Sequence, residues 1–306
     1  MSIRFDDQVV IVTGSGHGLG KCHALEFARR GAYVVVNDLG GSLDGIGEGS
    51  DAAREVVAQI EAEGGDAMAN GANVTDYSQV EAMVSAAVDK WGRVDVLVNN
   101  AGILRDKTFG KMDLADFAAV VDVHLYGSVN CTKAVWDKMC EQEYGRIVLT
   151  SSSSGIYGNF GQTNYGAAKM GLVGFMNALW LEGQKYGIKV NALSPIAATR
   201  MTENIMPEHI LAMLQPEAVT PAVIFMASED APNRQIIAAG AGVYARVVIQ
   251  ETPGIFLPED QRDAEHISAA WEQIANTEGQ VELQVGSEQT TKHIGKAAAA
   301  LGIKFE

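Results

Sequence analysis

Cysteine is scarce in this sequence. The 306 residues contain three cysteines, Cys22, Cys131 and Cys140, and their spacing suits neither a disulfide framework nor a zinc site. The six histidines form no cluster in the sequence either. We therefore expect reduced, inert thiols and no metal.

Positive charge is also scarce. Lys and Arg number 23 against 38 Asp and Glu, which gives a formal net charge of −15. A surface that binds nucleic acid or an anionic membrane needs an excess of Lys and Arg. We therefore predict no nucleic-acid partner and no membrane partner. An anionic cofactor would have to be held locally, by helix dipoles and backbone amides.

Long apolar runs are missing as well. The apolar stretches have the length of strands, and the N-terminal MSIRFDDQVV carries two acids where a signal peptide would carry basic and then apolar residues. We therefore expect no membrane span and no export. The hydrophobic content of 47% is ample for a packed core, so the sequence predicts a globular, cytoplasmic protein.

A glycine-rich turn follows the first strand-like run. Val9–Thr13 is rich in β-branched residues, and a helical pattern begins at about Cys22. Glycines in such a turn let the backbone approach a pyrophosphate, while the helix N-terminus supplies partial positive charge. The pattern predicts a dinucleotide-binding loop whose cofactor-binding residues are Gly14, Ser15, Gly16, Gly18, Leu19 and Gly20.

The second predicted strand ends in an acid. Tyr33–Asn37 is followed by Asp38, roughly 20 residues beyond the glycine turn, where a carboxylate can accept hydrogen bonds from the adenosine ribose. The same carboxylate would repel a 2′-phosphate. We therefore predict NAD rather than NADP as the cofactor.

A tyrosine and a lysine stand four residues apart in TSSSSGIYGNFGQTNYGAAK. On a helix from about Asn164 to Tyr186, Tyr165 and Lys169 would share one face. A nearby cation favours phenolate, so we expect Lys169 to lower the pKa of Tyr165 toward neutrality and make it a proton carrier. Ser152 precedes Tyr165 by 13 residues, at the end of a strand-like run, where its hydroxyl could point into a cleft.

These motifs together resemble the short-chain dehydrogenase/reductase superfamily. The shared features are T-G-x-x-x-G-x-G at the first turn, N-N-A-G at 99–102, and the serine with Y-x-x-x-K. The resemblance implies that Ser152 binds the substrate oxygen, that Tyr165 transfers its proton, and that Lys169 also holds the nicotinamide ribose. It implies further cofactor contacts at Asn73, Val74, Asn100, Ala101, Gly102, Ala197, Ala198, Thr199 and Arg200.

His124 departs from the superfamily pattern. Most members carry an asparagine there, as the fourth member of a catalytic tetrad that binds a water beside the lysine. A neutral imidazole can also accept and donate a hydrogen bond. His124 is therefore either a catalytic residue or a buried helix histidine with a satisfied hydrogen bond.

Within the superfamily, VVVNDLGG, NNAGILRD, VHLYGS and YGRIVLTSSSSGIYGNFGQTNY are similar to a branch of (3R)-hydroxyacyl-CoA dehydrogenases. This implies NAD-dependent oxidation of a (3R)-hydroxyacyl-CoA to the 3-ketoacyl-CoA. The alternatives are a 17β-hydroxysteroid or other alcohol dehydrogenase, a 3-ketoacyl carrier-protein reductase, and a non-catalytic dinucleotide-binding protein. The candidate partners of the CoA phosphates are Arg105, Lys107, Lys111 and Arg200.

The alternation of strands and helices predicts the fold class. We expect an α/β, Rossmann-type, doubly wound parallel sheet of about seven strands, formed by residues 1–250. Residues 251–306 read as a helical extension with a packing role, including one helix at 260–276 whose stripe is Ile267, Trp271 and Ile274. The superfamily implies a homodimer or homotetramer through helices at 113–138 and 164–186. The C-terminal Ile-Lys-Phe-Glu is not a peroxisomal address, so we expect a stand-alone cytoplasmic enzyme.

Overall fold

The computed structural model describes residues 2–40, 51–197 and 208–304. Contacts divide the chain into two compact units, residues 1–246 and 247–306. Each unit is described by itself.

An eight-stranded sheet runs through the described part of the first unit, in the spatial order 3-2-1-4-5-6-7-8. The first seven strands pair in parallel. The last two are joined by two residues, 241 and 242, a link too short for anything but an antiparallel hairpin. The strands are β1 Val9–Thr13, β2 Tyr33–Asn37, β3 Asp66–Asn70, β4 Val96–Asn99, β5 Gly145–Thr150, β6 Ile188–Pro195, β7 Ile236–Gly240 and β8 Val243–Val247.

Helices connect the parallel strands. They are α1 Gly18–Arg29, α2 Asp51–Ala62, α3 Tyr77–Trp91, α4 Leu114–Val121, α5 Gly127–Gln142, α6 Ser153–Tyr157, α7 Thr163–Gly183, α8 Glu208–Leu211 and α9 Thr220–Ala227. Short 3₁₀ turns lie at Phe109–Lys111, Gln184–Tyr186 and Pro216–Ala218.

The central strands are apolar because both faces of the sheet are covered. Every residue of β1, β4 and β5 is buried. Continuous β-branched runs are typical of strands in parallel sheets that helices cover on both sides. The predicted fold class is therefore confirmed, with seven parallel strands and an eighth added by the hairpin.

The order of the strands creates a crevice at one edge of the sheet. The chain winds outward from β1 to β2 and β3, then returns to the other side of β1 with β4. Ligands of such sheets bind at the carboxyl ends of the strands where the order reverses. The carboxyl ends of β1 and β4, at Thr13 and Asn99, flank this point.

The helix predicted at 113–138 is not continuous. A π-helical turn at Asp122–Tyr126 separates α4 from α5, and it contains His124. Gly127, directly after the turn, packs so closely on Val74 that a β-carbon there would lie 2.6 Å from the valine Cγ2. This tight tertiary contact leaves no periodic signature in the sequence, and π-turns of this kind often lie at functional sites.

The second unit contains the short helices α10 Ala264–Ala269 and α11 Trp271–Ile274 and the longer α12 Gly286–Leu301, with a 3₁₀ turn at Glu259–Gln261. The single helix predicted at 260–276 is therefore wrong, because it is interrupted at Ala270. Ile267 and Trp271 are 49% and 58% exposed. Among residues 247–304, Ala298 is the only buried residue, so this unit has little core of its own.

Candidate active site

A cavity of about 440 Å³ opens at the carboxyl ends of β1, β2, β4 and β5. Most of the predicted site residues line it. They are Gly14, Gly18, Leu19, Gly20, Asp38, Asn73, Val74, Asn100, Ala101, Gly102, His124, Tyr165 and Lys169.

The glycine turn forms part of the cavity wall. Its backbone is packed so tightly that a side chain at Gly20 would not fit. A β-carbon on Gly20 would lie 2.2 Å from the carbonyl oxygen of Gly14. Helix α1 begins at Gly18, earlier than the predicted Cys22, so its first amides lie within the turn. Free amides at a helix N-terminus suit an anionic group such as a pyrophosphate.

Asp38 lines the cavity beside the glycine turn, and its carboxylate is hydrogen-bonded. Its Oδ2 accepts the Gly16 N–H at 2.7 Å, and its Oδ1 accepts the Gly40 N–H at 2.8 Å. These bonds fix the carboxylate beside the glycine turn. Ser15 and Gly16 themselves support the turn rather than line the cavity, since the fully buried Ser15 hydroxyl donates to the Val12 carbonyl oxygen.

Asn100 and Thr13 join the N-N-A-G segment to the glycine turn. The Asn100 Nδ2 donates to the carbonyl oxygens of Thr13 and Gly14, both at 2.9 Å. The Thr13 Oγ1 accepts the N–H groups of Asn100 and Ala101 at 3.0 and 3.1 Å. Sequence analysis missed this role of Thr13, although its place at the last position of β1 was a usable signal.

Tyr165 and Lys169 line the cavity together with Thr150 at the end of β5. Ser152 lies close enough to the Tyr165 phenol to lower its pKa. The Lys169 Nζ lies 5.5 Å from the centroid of the Tyr165 ring and donates to the Thr150 carbonyl oxygen at 2.5 Å. The predicted trio is therefore one physical cluster, built from the end of β5 and the first turns of α7.

The protonation of this cluster differs from the prediction. Burial raises the pKa of the Tyr165 phenol, while the bond from Ser152 acts in the opposite direction. Burial also lowers the pKa of Lys169 to about 7. Near neutral pH Lys169 thus carries its charge only part of the time. The prediction that Lys169 lowers the pKa of Tyr165 is therefore wrong, because burial of the phenol raises that pKa.

His124 lies beside Tyr165, with ring centroids 5.0 Å apart in an edge-to-face arrangement. Its Nε2 lies 3.1 Å from the Ile103 nitrogen and 2.8 Å from the Ile103 carbonyl oxygen. In one tautomer Nε2 accepts the Ile103 N–H, and in the other it donates to the Ile103 carbonyl oxygen. Burial, and then Lys169, hold the pKa of His124 well below its ordinary value, so the imidazole is neutral.

The position of the His124 ring also requires a glycine at residue 102. A β-carbon on Gly102 would lie 2.2 Å from the His124 Cε1. The His124 Nδ1 is buried and has no hydrogen-bond partner within the described ranges. The histidine therefore supports the Gly102–Ile103 backbone through one nitrogen and leaves the other available.

Three predicted cofactor-binding residues, Ala198, Thr199 and Arg200, fall outside the described residues. Ala197 is described and buried, 7% exposed, but it is not part of the cavity lining.

Two of the four candidate phosphate-binding cations are paired with acids. Asp116 accepts from both Arg105, at 3.1 Å, and Lys107, at 2.9 Å. Lys107 also lies 3.4 Å from Asp113. A phosphate would therefore have to replace these partly exposed ion pairs, and the role of the two cations in binding CoA stays a prediction. Lys111 is exposed.

Thr150 was also missed by sequence analysis. It ends β5, its carbonyl oxygen holds Lys169, and its side chain lines the cavity. In the part of the chain that the structure describes, its buried Oγ1 has no hydrogen-bond partner. Its place directly before the serine run was the available signal.

Residues 2–40, 51–197 and 208–304 contain no group of three or more His, Cys, Asp or Glu that could hold a metal ion. No helix in these segments combines the length and the apolar character needed to cross a membrane.

Comparison with known proteins agrees with this geometry. A family model described as short chain dehydrogenase matches residues 8–209. The chain belongs to the short-chain dehydrogenase family. It is 45% identical over 294 residues to the peroxisomal multifunctional enzyme type 2 of Mus musculus, which covers 94% of this chain and 39% of the mouse protein. The predicted family is confirmed.

Solved structures give the same result. The full-length peroxisomal multifunctional enzyme type 2 of Drosophila melanogaster matches with a TM-score of 0.80 and 36% identity, over 96% of this chain and 50% of that one. A 7α-hydroxysteroid dehydrogenase complexed with NADH and 7-oxo glycochenodeoxycholic acid matches with a TM-score of 0.71 and 29% identity, over 78% and 95%. This chain thus spans 39% of the length of the mouse enzyme and 50% of the Drosophila enzyme.

The protein is therefore an oxidoreductase of the short-chain dehydrogenase family, and family and neighbour indicate a nicotinamide dinucleotide cofactor. The residues present fit such a group. The glycine turn at one wall of the cavity, the fixed carboxylate of Asp38 and the amides of α1 offer the donors and acceptors that a dinucleotide needs.

Proposed function

We propose that this protein oxidises a (3R)-hydroxyacyl-CoA to the 3-ketoacyl-CoA with NAD. One observation carries the proposal: Tyr165 and Lys169 line the same cavity as Asp38, and Ser152 lies close enough to Tyr165 to act on its pKa. A proton acceptor and a site for adenosine ribose in one crevice are what alcohol oxidation with a dinucleotide requires.

Each residue of the cluster has a role in the proposal. Ser152 orients the substrate hydroxyl by a hydrogen bond, and the deprotonated Tyr165 accepts the hydroxyl proton. A bound nicotinamide would accept the hydride from the substrate carbon that carries this hydroxyl. Lys169, with a pKa of about 7, can pass a proton onward at neutral pH. His124 holds the Gly102–Ile103 backbone that faces the tyrosine.

Asp38 supports NAD over NADP. Both of its oxygens accept backbone N–H groups, so the carboxylate cannot turn away from the adenosine ribose without losing two charge-assisted bonds. A 2′-phosphate at that ribose would face a like charge in a partly buried place. In the proposal, NADP is therefore a much poorer cofactor.

The acyl-CoA assignment rests on likeness to the mouse and Drosophila relatives, whose names describe peroxisomal multifunctional enzymes. Lys111 is the candidate partner for a CoA phosphate. Arg105 would have to exchange its contact with Asp116 for a phosphate. The cytoplasmic location stays a prediction, and the relatives' names point to another compartment.

Self-association is part of the proposal. Helix α7 exposes a stripe without charge at Ala167, Met170, Gly174, Ala178 and Leu181. Met170 and Leu181 are 39% and 44% exposed. A second copy packing on this stripe would remove apolar surface from water, as expected for a homodimer or homotetramer.

The proposal is tested by following NADH formation with a substrate panel. The panel holds (3R)- and (3S)-hydroxyacyl-CoAs, a 17β-hydroxysteroid and a polyol, each with NAD and with NADP. We expect turnover with the (3R) acyl-CoA and NAD. Turnover of the steroid alone would contradict the substrate, and no NAD reduction with any alcohol would contradict the activity.

A further inference from the structure

Asn37 joins the second strand to the glycine turn. It is the last residue of β2, it directly precedes Asp38, and it is 1% exposed. Its carbonyl oxygen accepts the Ser15 N–H at 2.9 Å and lies 3.2 Å from the Ser15 Oγ. The position of the turn relative to Asp38 is thus set partly by Asn37.

The side chain of Asn37 reaches the opposite way, to the end of β3. Its Nδ2 donates to the Ala72 carbonyl oxygen at 3.0 Å and to the Asn70 Oδ1 at 3.2 Å. The same Asn70 Oδ1 accepts the Ala72 N–H at 2.8 Å. Both N–H donors of this buried amide are used. The two bonds therefore fix the orientation of the Asn37 side chain.

The contacts of Asn37 therefore involve three parts of the cavity wall. Asp38, the glycine turn and the segment 72–75 all line the cavity. The Asp38 N–H also donates to the Asn70 carbonyl oxygen at 3.0 Å, so the ends of β2 and β3 move together. Loss of the Asn37 amide would leave the Ala72 carbonyl oxygen and the Asn70 Oδ1 without this donor, so that backbone pairing alone would join the end of β3 to β2.

We propose that Asn37 is a positioning residue for the adenosine half of the cofactor. It sets the separation between the Asp38 carboxylate and the 72–75 segment and thereby determines affinity for that half, without touching the reacting atoms. This inference rests on the proposed use of NAD. It concerns the part of the cavity lined by Asp38 and residues 72–75, whereas Tyr165 and Lys169 act on the reacting atoms.

The test compares Asn37→Ala with a matched control. Asn191 is a buried asparagine of β6 that is not part of the cavity lining, and its Nδ2 donates to the Pro232 carbonyl oxygen at 2.8 Å. Asn191→Ala therefore removes an equivalent buried amide at a distance from the proposed cofactor site. Dissociation constants for NADH and for ADP-ribose are measured by fluorescence titration and competition, and kcat is measured at saturating NAD.

For Asn37→Ala we expect about tenfold weaker binding of NADH and of ADP-ribose, the usual effect of one buried hydrogen bond, with kcat within about twofold of wild type. Asn191→Ala should bind both ligands within about twofold of wild type. Asn70→Ala should weaken binding similarly to Asn37→Ala. In the double variant the loss of affinity should be smaller than the product of the two single losses, because the two side chains share the bond between Asn37 Nδ2 and Asn70 Oδ1.

Three results would overturn the inference. One is unchanged affinity of Asn37→Ala for ADP-ribose while wild type binds it, which leaves the proposed function intact. Another is a fall in kcat without a change in affinity. The third is failure of wild type to bind NADH, which would reject the proposed function as well. Should Asn37→Ala not fold, Asn70→Ala, whose side chain is only half-buried, decides the question alone.

Discussion

Replacing Lys169 by methionine should change how stability depends on pH. The Lys169 ammonium is 3% exposed, and burial lowers its pKa to about 7 from an ordinary value of 10.5. Between these two values the unfolded chain binds a proton that the folded protein does not. Wild type therefore gains stability as pH rises through this window, and Lys169→Met, with a similar volume and no charge, lacks this gain.

The size of the effect follows from the two pKa values. Each pH unit inside the window contributes about 1.4 kcal/mol, and the folded lysine is about half protonated at pH 7. From pH 7 to pH 9 the difference in free energy of unfolding between wild type and Lys169→Met should thus move by about 2 kcal/mol in favour of wild type. Urea unfolding of both proteins, at equal concentration and without cofactor, measures it.

Lys133→Met is the matched control, since the Lys133 side chain is 59% exposed on α5. It should follow wild type at both pH values. A difference between wild type and Lys169→Met that stays the same at pH 7 and pH 9 would show that Lys169 is not desolvated, and the account of the buried cluster would fail.

Three further predictions concern activity. Asp38→Ser should raise the ratio of NADP to NAD turnover by at least about tenfold, because a like charge facing the 2′-phosphate is removed; an unchanged ratio would refute the role of the carboxylate. His124→Asn should keep kcat within about fivefold of wild type, since a carboxamide can both accept from and donate to Ile103, whereas His124→Ala should lose at least about tenfold; equal losses would contradict the support role. The initial rate of alcohol oxidation should rise from pH 7 to pH 10 and that of ketone reduction should fall, because the raised pKa of Tyr165 leaves little phenolate at neutrality; a flat profile would oppose a proton transfer by this phenol.

Much of the fold was readable because each strand and turn carried its own signal. The β-branched run before Gly14 and the acid after β2 correctly predicted that the glycine turn and Asp38 line the cavity. Because the strands are parallel, the carboxyl ends of β1, β2, β4 and β5 lie at one edge of the sheet. The alternation of strands and helices predicted this arrangement.

The remaining features arise from tertiary contacts that no local pattern encodes. The π-turn at 122–126 accompanies the close packing of Gly127 on Val74. The pKa of Lys169 depends on burial by distant segments, which spacing within one helix cannot reveal. The pairing of Arg105 and Lys107 with Asp116 likewise depends on how the 103–112 segment meets α4.

Turnover by Tyr165→Phe tests the central claim most directly. The variant keeps the ring beside His124 and Lys169 but lacks the phenolic oxygen that accepts the substrate proton. With a (3R)-hydroxyacyl-CoA and NAD, we expect kcat to fall by at least about a hundredfold while NADH binds within about threefold of wild type. A variant that turns over at the wild-type rate would contradict the claim that Tyr165 carries the proton.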